Sequence, residues 1–186
     1  MAQRAHRDGY YGEEEKWEND FFNLLDKIDT FNAENTSKKH VFLICHSFQL
    51  ACRKYKLGTV TKRKSNAFGI FPISLTIDGM HELLFAGLPN PFYSVDSRDW
   101  QVVQPIQTDF EGKGAKILAI EKERPHVDLE RCIMAIRFSE HMIGTQFHPE
   151  AEPIGMKMYL MLEEKKTAII KNHGKSKYLD MLKRNN

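Results

Sequence analysis

The apolar run Val41-Phe42-Leu43-Ile44 leads without a polar break into Cys45, and directly after it the hydrophobic period changes. Four consecutive apolar residues without alternation predict a short strand covered on both faces, as in a parallel sheet. From His46 onward the positions Phe48, Leu50, Ala51 and Tyr55 fit a helix, which Gly58 ends. Upstream, Trp17, Phe21, Phe22, Leu24, Leu25 and Ile28 recur at intervals of three and four and predict an amphipathic helix over 15–34. The polar stretch 35–39 closes that helix. Helix, buried strand, helix is the order of a layered α/β protein, and it leaves Cys45 at a strand-to-helix junction.

The rest of the chain reads as smaller pieces. Residues 59–62, 69–75 and 121–125 are alternating or turn-bounded segments and predict short strands. Residues 83–88 form a helical turn before Pro89, and 115–120 a strand after Gly112 and Gly114. Segments 132–138 and 142–147 predict a hairpin around 139–141. Residues 156–172 predict one helix, and 173–186 a tail helix. Residues 1–14 are polar and predict a flexible lead-in, so that 1–186 is expected to be a single domain.

Composition narrows the class. Lys and Arg number 27 against 25 Asp and Glu, a balance that gives no global pull toward nucleic acid or an anionic membrane. No apolar run is long enough to span a bilayer, and the start has no secretory h-region. The three cysteines, Cys45, Cys52 and Cys132, are too few and too unevenly spaced for a disulfide framework or a paired zinc motif. The expectation is a cytoplasmic protein with no metal, no cofactor, no nucleic-acid partner and no membrane contact.

Chemistry is concentrated in Cys45 and in Gln146-Phe147-His148-Pro149-Glu150. A cysteine at a strand-to-helix junction is thrust out at the sheet edge, beside the helix N-terminus, whose dipole favours a thiolate. The backbone N–H of His46 is then available to a developing oxyanion. In an extended segment His148 and Glu150 project to the same side, and Pro149 favours that geometry. Cys45, His148 and Glu150 thus make a candidate nucleophile, base and orienter. Taken singly, each has a blander reading, Cys45 as a small core residue and His148 as a loop residue.

Read together, Leu43-Ile44-Cys45-His46-Ser47-Phe48-Gln49 and the intact Gln146-Phe147-His148-Pro149-Glu150 resemble the two motifs of the class I glutamine amidotransferases, the Cys-His-Glu triad type, with a GMP-synthase-like flavour. Phe68-Gly69-Ile70-Phe71-Pro72-Ile73 and Leu84-Phe85-Ala86-Gly87-Leu88-Pro89 resemble further family segments. The resemblance implies a flavodoxin-like, three-layer α/β/α fold with a mostly parallel central sheet. It implies L-glutamine as substrate, Cys45 as nucleophile, His148 as base, Glu150 as orienter, Gln49 beside the bound glutamine, and the His46 N–H in the oxyanion hole. The implied reaction is a glutaminase step through a γ-glutamyl thioester, with ammonia passed to a separate synthetase.

Three departures from the family pattern stand beside it. Leu43 and Ser47 occupy positions where the family has glycine. The stretch Asp96-Ser97-Arg98-Asp99-Trp100 lacks the histidine of the family's Ser-His-x-Asp step, which leaves Arg98 open between facing the site and lying in a solvated loop. The N-terminal strand or strands and the Gly-Gly loop of the family have no counterpart in the polar opening residues. Hydrolysis of another γ-glutamyl compound, or a non-catalytic regulatory or binding role on the same scaffold, are the alternatives. The basic run Lys62-Arg63-Lys64 reads as a solvated turn, and Met156, Met158 and Met161 as packing residues.

Overall fold

The computed structural model describes residues 16–123, 130–151 and 153–183; the expected lead-in over 1–14 and the end of the segment expected over 121–125 lie outside these. Helix α1 (Lys16–Glu34) is followed by strand β1 (Val41–Ile44) and helix α2 (His46–Tyr55), the order that the hydrophobic periods predict. Helix α1 buries Leu25 and Glu18, and the Glu18 carboxylate takes both its oxygens to Arg53 Nη1 of α2 at 3.2 Å. Helix α2 turns Phe48, Ala51 and Cys52 into the core with Leu25, Leu43, Leu57, Ile136 and Phe138. Each large apolar side chain so buried contributes about 1.5–3 kcal/mol. Lys56 ends α2 in a left-handed conformation at φ 57°, its N–H returning to Arg53 O at 3.2 Å and the Leu57 N–H to Cys52 O at 2.9 Å.

Six strands form one sheet in the order β1-β6-β5-β3-β2-β4, with β5 also paired to β4. Strand β2 (Thr59–Leu75) runs against β3 (Phe92–Val103), and its far end pairs with β4 (Lys116–Glu121). Strand β5 (Ile133–Ser139) pairs with β4, with β6 (Met142–Thr145) and, through Val102 and Ile133, with β3. Strands β2, β3, β5 and β4 therefore close on themselves as an antiparallel barrel, filled by Ile73, Phe92, Leu118, Met134 and Phe147 among others. Short helix α3 (Ile77–Met80) and a 3-10 turn (Leu83–Phe85) join β2 to β3, and α4 (Gln107–Lys113) joins β3 to β4.

The mixed α/β class is as expected, but the sheet is not mostly parallel. Among the described residues β1–β6 is the parallel pair, and the other pairings are antiparallel. The apolar run of β1 is also not covered on both faces: Leu43 is buried, while Phe42 is 43% exposed, because β1 stands at the sheet edge with β6 as its neighbour. The pieces expected at 59–62 and 69–75 are one 17-residue strand. Its basic stretch does not turn; it forms an irregularity in register between Lys62 and Ala67, which bends the strand without breaking it.

The C-terminal segment is three helices rather than two. Helix α5 (Pro153–Met161) breaks at Leu162, α6 (Glu163–His173) ends at Gly174 with φ 83°, and α7 (Lys175–Lys183) follows. Leu160, Ile169, Tyr178 and Met181 make a separate small core against Phe68 of β2. Met158 and Met161 are not packing residues: they are exposed.

Candidate active site

The loop-free step from β1 to α2 forces Cys45 into a backbone conformation that L-residues seldom adopt, φ 51° and ψ −99°. Such a residue costs about 1–3 kcal/mol and persists only when its surroundings hold it. Three sets of bonds do so here. Cys45 N–H donates to Thr145 O of β6 at 2.8 Å, and Gln49 N–H donates to Cys45 O at 3.1 Å. Ser47 Oγ accepts from Ile44 N–H at 2.9 Å and donates to Ile44 O at 3.0 Å, tying the strand end to the first turn of α2. A strained strand-to-helix elbow of this kind presents its side chain outward, and Cys45 is half-buried while Cys52, one face of α2 away, is fully buried.

Both glycine departures find a local explanation. Leu43 pairs in register with Gly144, and a Cβ on Gly144 would lie 3.0 Å from Leu43 Cβ and 3.0 Å from Phe48 Cδ2. The space for Leu43 is thus the side chain that Gly144 lacks. Ser47 contributes the two Ile44 bonds, which glycine could not make.

The distal motif arrives from β6. Thr145 Oγ1 donates to Phe147 O at 3.0 Å, Gln146 N–H to Met134 O at 2.7 Å, and His148 N–H to Val95 O of β3 at 2.8 Å. Residues 149–150 are a turn, not the extended strand expected from Pro149, and Ala151 N–H returns to His148 O at 3.2 Å. The turn itself brings the side chains together: His148 Nδ1 lies 2.7 Å from Glu150 Oε1. A carboxylate only accepts, so Nδ1 carries the proton in that bond and Nε2 is left for the sulfur. The hydrogen bond to Cys45, outweighing desolvation and reinforced by Glu150, raises the His148 pKa from 6.5 to about 9.

A cavity of about 130 Å³ opens beside the sulfur, lined by Cys45, Gln49, Asn66, Ser97, Arg98, Asp99 and Trp100. Strand β3 forms its wall: Ser97 O is 3.8 Å from Cys45 Sγ, and Asn66 Nδ2 donates to Asp99 Oδ1 at 2.9 Å. Of the residues singled out in the sequence, Cys45, Gln49, His148 and Glu150 are brought together. His46 takes the first helical position of α2, and its ring lies 5.6 Å from that of Trp17. Gln49 lines the cavity, yet it is buried and its amide is engaged by Gln146 Oε1 at 2.8 Å and Trp100 O at 3.3 Å.

Two features escaped the sequence reading. Arg98 is no solvated loop residue. Its Nε takes Asp96 Oδ1 and Oδ2 at 2.9 and 3.0 Å, and its Nη2 takes Cys132 Sγ at 3.1 Å and Glu121 Oε1 at 3.5 Å inside the barrel. Burial alone would lower the guanidinium pKa, but Cys132, Asp96 and Glu121 hold it above its ordinary value. Arg63 joins the same cluster through Glu121 Oε1 at 3.0 Å and Gln101 Oε1 at 2.9 Å, so the basic run 62–64 is split between one inward arginine and two exposed lysines. The available signal was Asp96 and Arg98 at spacing two, the same side of a strand. The second feature is the contact of Gln146 Nε2 with Cys45 Sγ at 3.6 Å; no spacing rule reveals it.

A thiol on a strained elbow, a histidine and a carboxylate thus lie together on a mixed α/β scaffold. Residues 20–165 match the family model described as glutamine amidotransferase class-I, and the chain belongs to that family. Its fold is similar to a glutamine amidotransferase from Thermotoga maritima (TM-score 0.64, 15% identity, 95% of this chain and 66% of that one). It is also similar to a glutamine amido transferase from Methylobacillus flagellatus (TM-score 0.58, 13% identity, 83% and 53%). A third is the glutaminase domain of the Trypanosoma brucei CTPS, solved with bound acivicin (TM-score 0.56, 12% identity, 75% and 61%). The chain spans about two thirds or less of the length of these structures. No curated protein matches it. Among the described residues no group of three or more His, Cys, Asp or Glu is placed to hold a metal ion, and no helix is long and apolar enough to cross a membrane.

Proposed function

We propose that this chain hydrolyses the side-chain amide of L-glutamine through a cysteinyl thioester, and delivers the ammonia to a separate synthetase. The observation that carries the reading is the strained, half-buried Cys45 beside a histidine that is itself fixed by a carboxylate at 2.7 Å. The raised pKa keeps His148 as imidazolium at neutral pH, with a proton to give to the leaving nitrogen. The thiolate attacks the amide carbon, a C–S bond forms, and the carbonyl π electrons move onto oxygen to give an oxyanion. The C–N bond then breaks as imidazolium gives its proton to nitrogen, releasing ammonia and leaving neutral imidazole. His148 next takes a proton from water, hydroxide adds to the thioester carbon, and the C–S bond breaks to give glutamate and free thiolate. Glu150 holds the imidazole tautomer through both halves. Family membership supports the substrate class.

The test uses a glutamine-directed diazo-ketone, with adducts mapped by mass spectrometry. Labelling of Cys45 that free glutamine competes away, and that is lost in Cys45→Ala, is the expected result. An unlabelled wild-type protein, alone and with candidate synthetases, overturns the reading in favour of a binding role on the same scaffold.

A further inference from the structure

Chemistry at Cys45 needs the negative charge on sulfur to be stabilised. Besides His148, the sulfur meets a chain of amides whose direction is dictated by its far end. Trp100 O is a backbone carbonyl and can only accept, so Gln49 must present its NH₂ group there, at 3.3 Å. The same Nε2 lies 2.8 Å from the Gln146 side chain, which must therefore present Oε1 to it. With its oxygen committed, Gln146 has only its own NH₂ left for its other contact, which is Cys45 Sγ at 3.6 Å. Turning either amide over would set oxygen against oxygen or nitrogen against nitrogen at a neighbouring bond. Gln146 is wholly buried and Gln49 nearly so, where unmatched contacts of that kind are costly. Gln146 N–H is in addition bound to Met134 O at 2.7 Å, which fixes the backbone from which the amide reaches.

We propose that Gln146 is a catalytic residue of this site: its side-chain NH₂ is a fixed donor to the Cys45 sulfur that stabilises the thiolate, and Gln49 is a positioning residue that keeps that NH₂ turned toward sulfur. The inference rests on Cys45 being the reactive thiol of the proposed function, though it concerns the charge on sulfur and not the identity of the substrate. A hydrogen bond to a charged group is stronger than one to its neutral form, so the donor acts on the thiolate and not on the thiol.

The experiment measures alkylation of Cys45 by iodoacetamide, mapped by mass spectrometry, from pH 5 to pH 10 in the full chain. Gln146→Met keeps the side-chain volume and removes the donor. The expected profile moves to higher pH, so that alkylation at pH 7 falls about tenfold and recovers in alkaline solution. Gln49→Met, which leaves Gln146 in place without its orienter, is expected to fall in the same direction by a smaller factor, about threefold. A loosened fold has the opposite signature: it would raise labelling, and would admit reagent to Cys52 and Cys132. Either variant decides the matter if the other does not fold. Wild-type rates and profile in a folded variant overturn the inference. Shifted profiles in a protein that releases no ammonia from glutamine would keep the sulfur donor and discard the glutaminase reading. Unshifted profiles in a protein that does hydrolyse glutamine would discard the donor alone.

Discussion

Cys45 and Cys132 meet nitrogen donors of very different strength, and the weaker donor faces the sulfur proposed as reactive. Cys132 has a full guanidinium against it, Arg98 Nη2 at 3.1 Å; Cys45 has a neutral amide, Gln146 Nε2 at 3.6 Å, and an imidazole. Yet burial pushes the Cys132 thiol up to about 11 in spite of Arg98, because Asp96 and Glu121 already claim that positive charge and no solvent reaches the sulfur. A nearby cation alone does not make a cysteine reactive. Access and an elbow that presents the sulfur outward separate the two sites.

The comparison is broken first by iodoacetamide on the native protein. Cys45 is expected to react at least about a thousandfold faster than Cys52 or Cys132, which become reactive only through unfolding; comparable rates at Cys45 and Cys132 would erase the distinction. Next in size is Arg98→Met. It strips the barrel of the cation that balances Asp96 and is expected to cost about 3–5 kcal/mol in urea unfolding. The double variant Arg98→Met with Asp96→Asn should recover much of that loss, and a double variant as unstable as the single would show that the ion pair is not the cause.

The third prediction concerns charge on the reactive side. The folded His148 pKa of about 9 stands above the ordinary 6.5, so its stabilising contribution is complete below pH 6.5 and is lost as pH rises through about 9. In Glu150→Gln one of the groups that raises it is gone, and its NMR titration midpoint is expected to drop toward 6.5. An unmoved midpoint would deny Glu150 the orienting role. Smallest is Ser47→Ala, which removes both bonds to Ile44 and is expected to cost about 1–2 kcal/mol in chemical denaturation; no loss would mean that the Thr145 bond alone holds the elbow.

Local period made the elbow legible. Helix α1, strand β1, helix α2 and the β5–β6 hairpin follow from apolar spacing within windows of about a dozen residues, and Cys45, His148 and Glu150 follow from their places at the ends of those elements. What stayed hidden is non-local. Closure of the barrel depends on β3 meeting β5 through Val102 and Ile133, and on β2 reaching β4 through pairs such as Ile73 and Glu121, residues far apart in sequence. With closure unseen, Arg98 had no interior to point into and the Lys62-Arg63-Lys64 run had no reason to continue as strand. The bond between Gln49 and Gln146 stayed hidden because the two lie 97 residues apart and belong to different elements. The mostly parallel sheet was expected from the family resemblance together with one apolar run: β1 is parallel to β6, but a run of four apolar residues does not say how the remaining strands pair.

The most direct measurement is steady-state release of ammonia and glutamate from L-glutamine, by the wild-type chain and Cys45→Ala, alone and with candidate synthetases present. The account predicts turnover in the wild type and none above background in Cys45→Ala. Equal turnover in both, or none in the wild type under either condition, would contradict it.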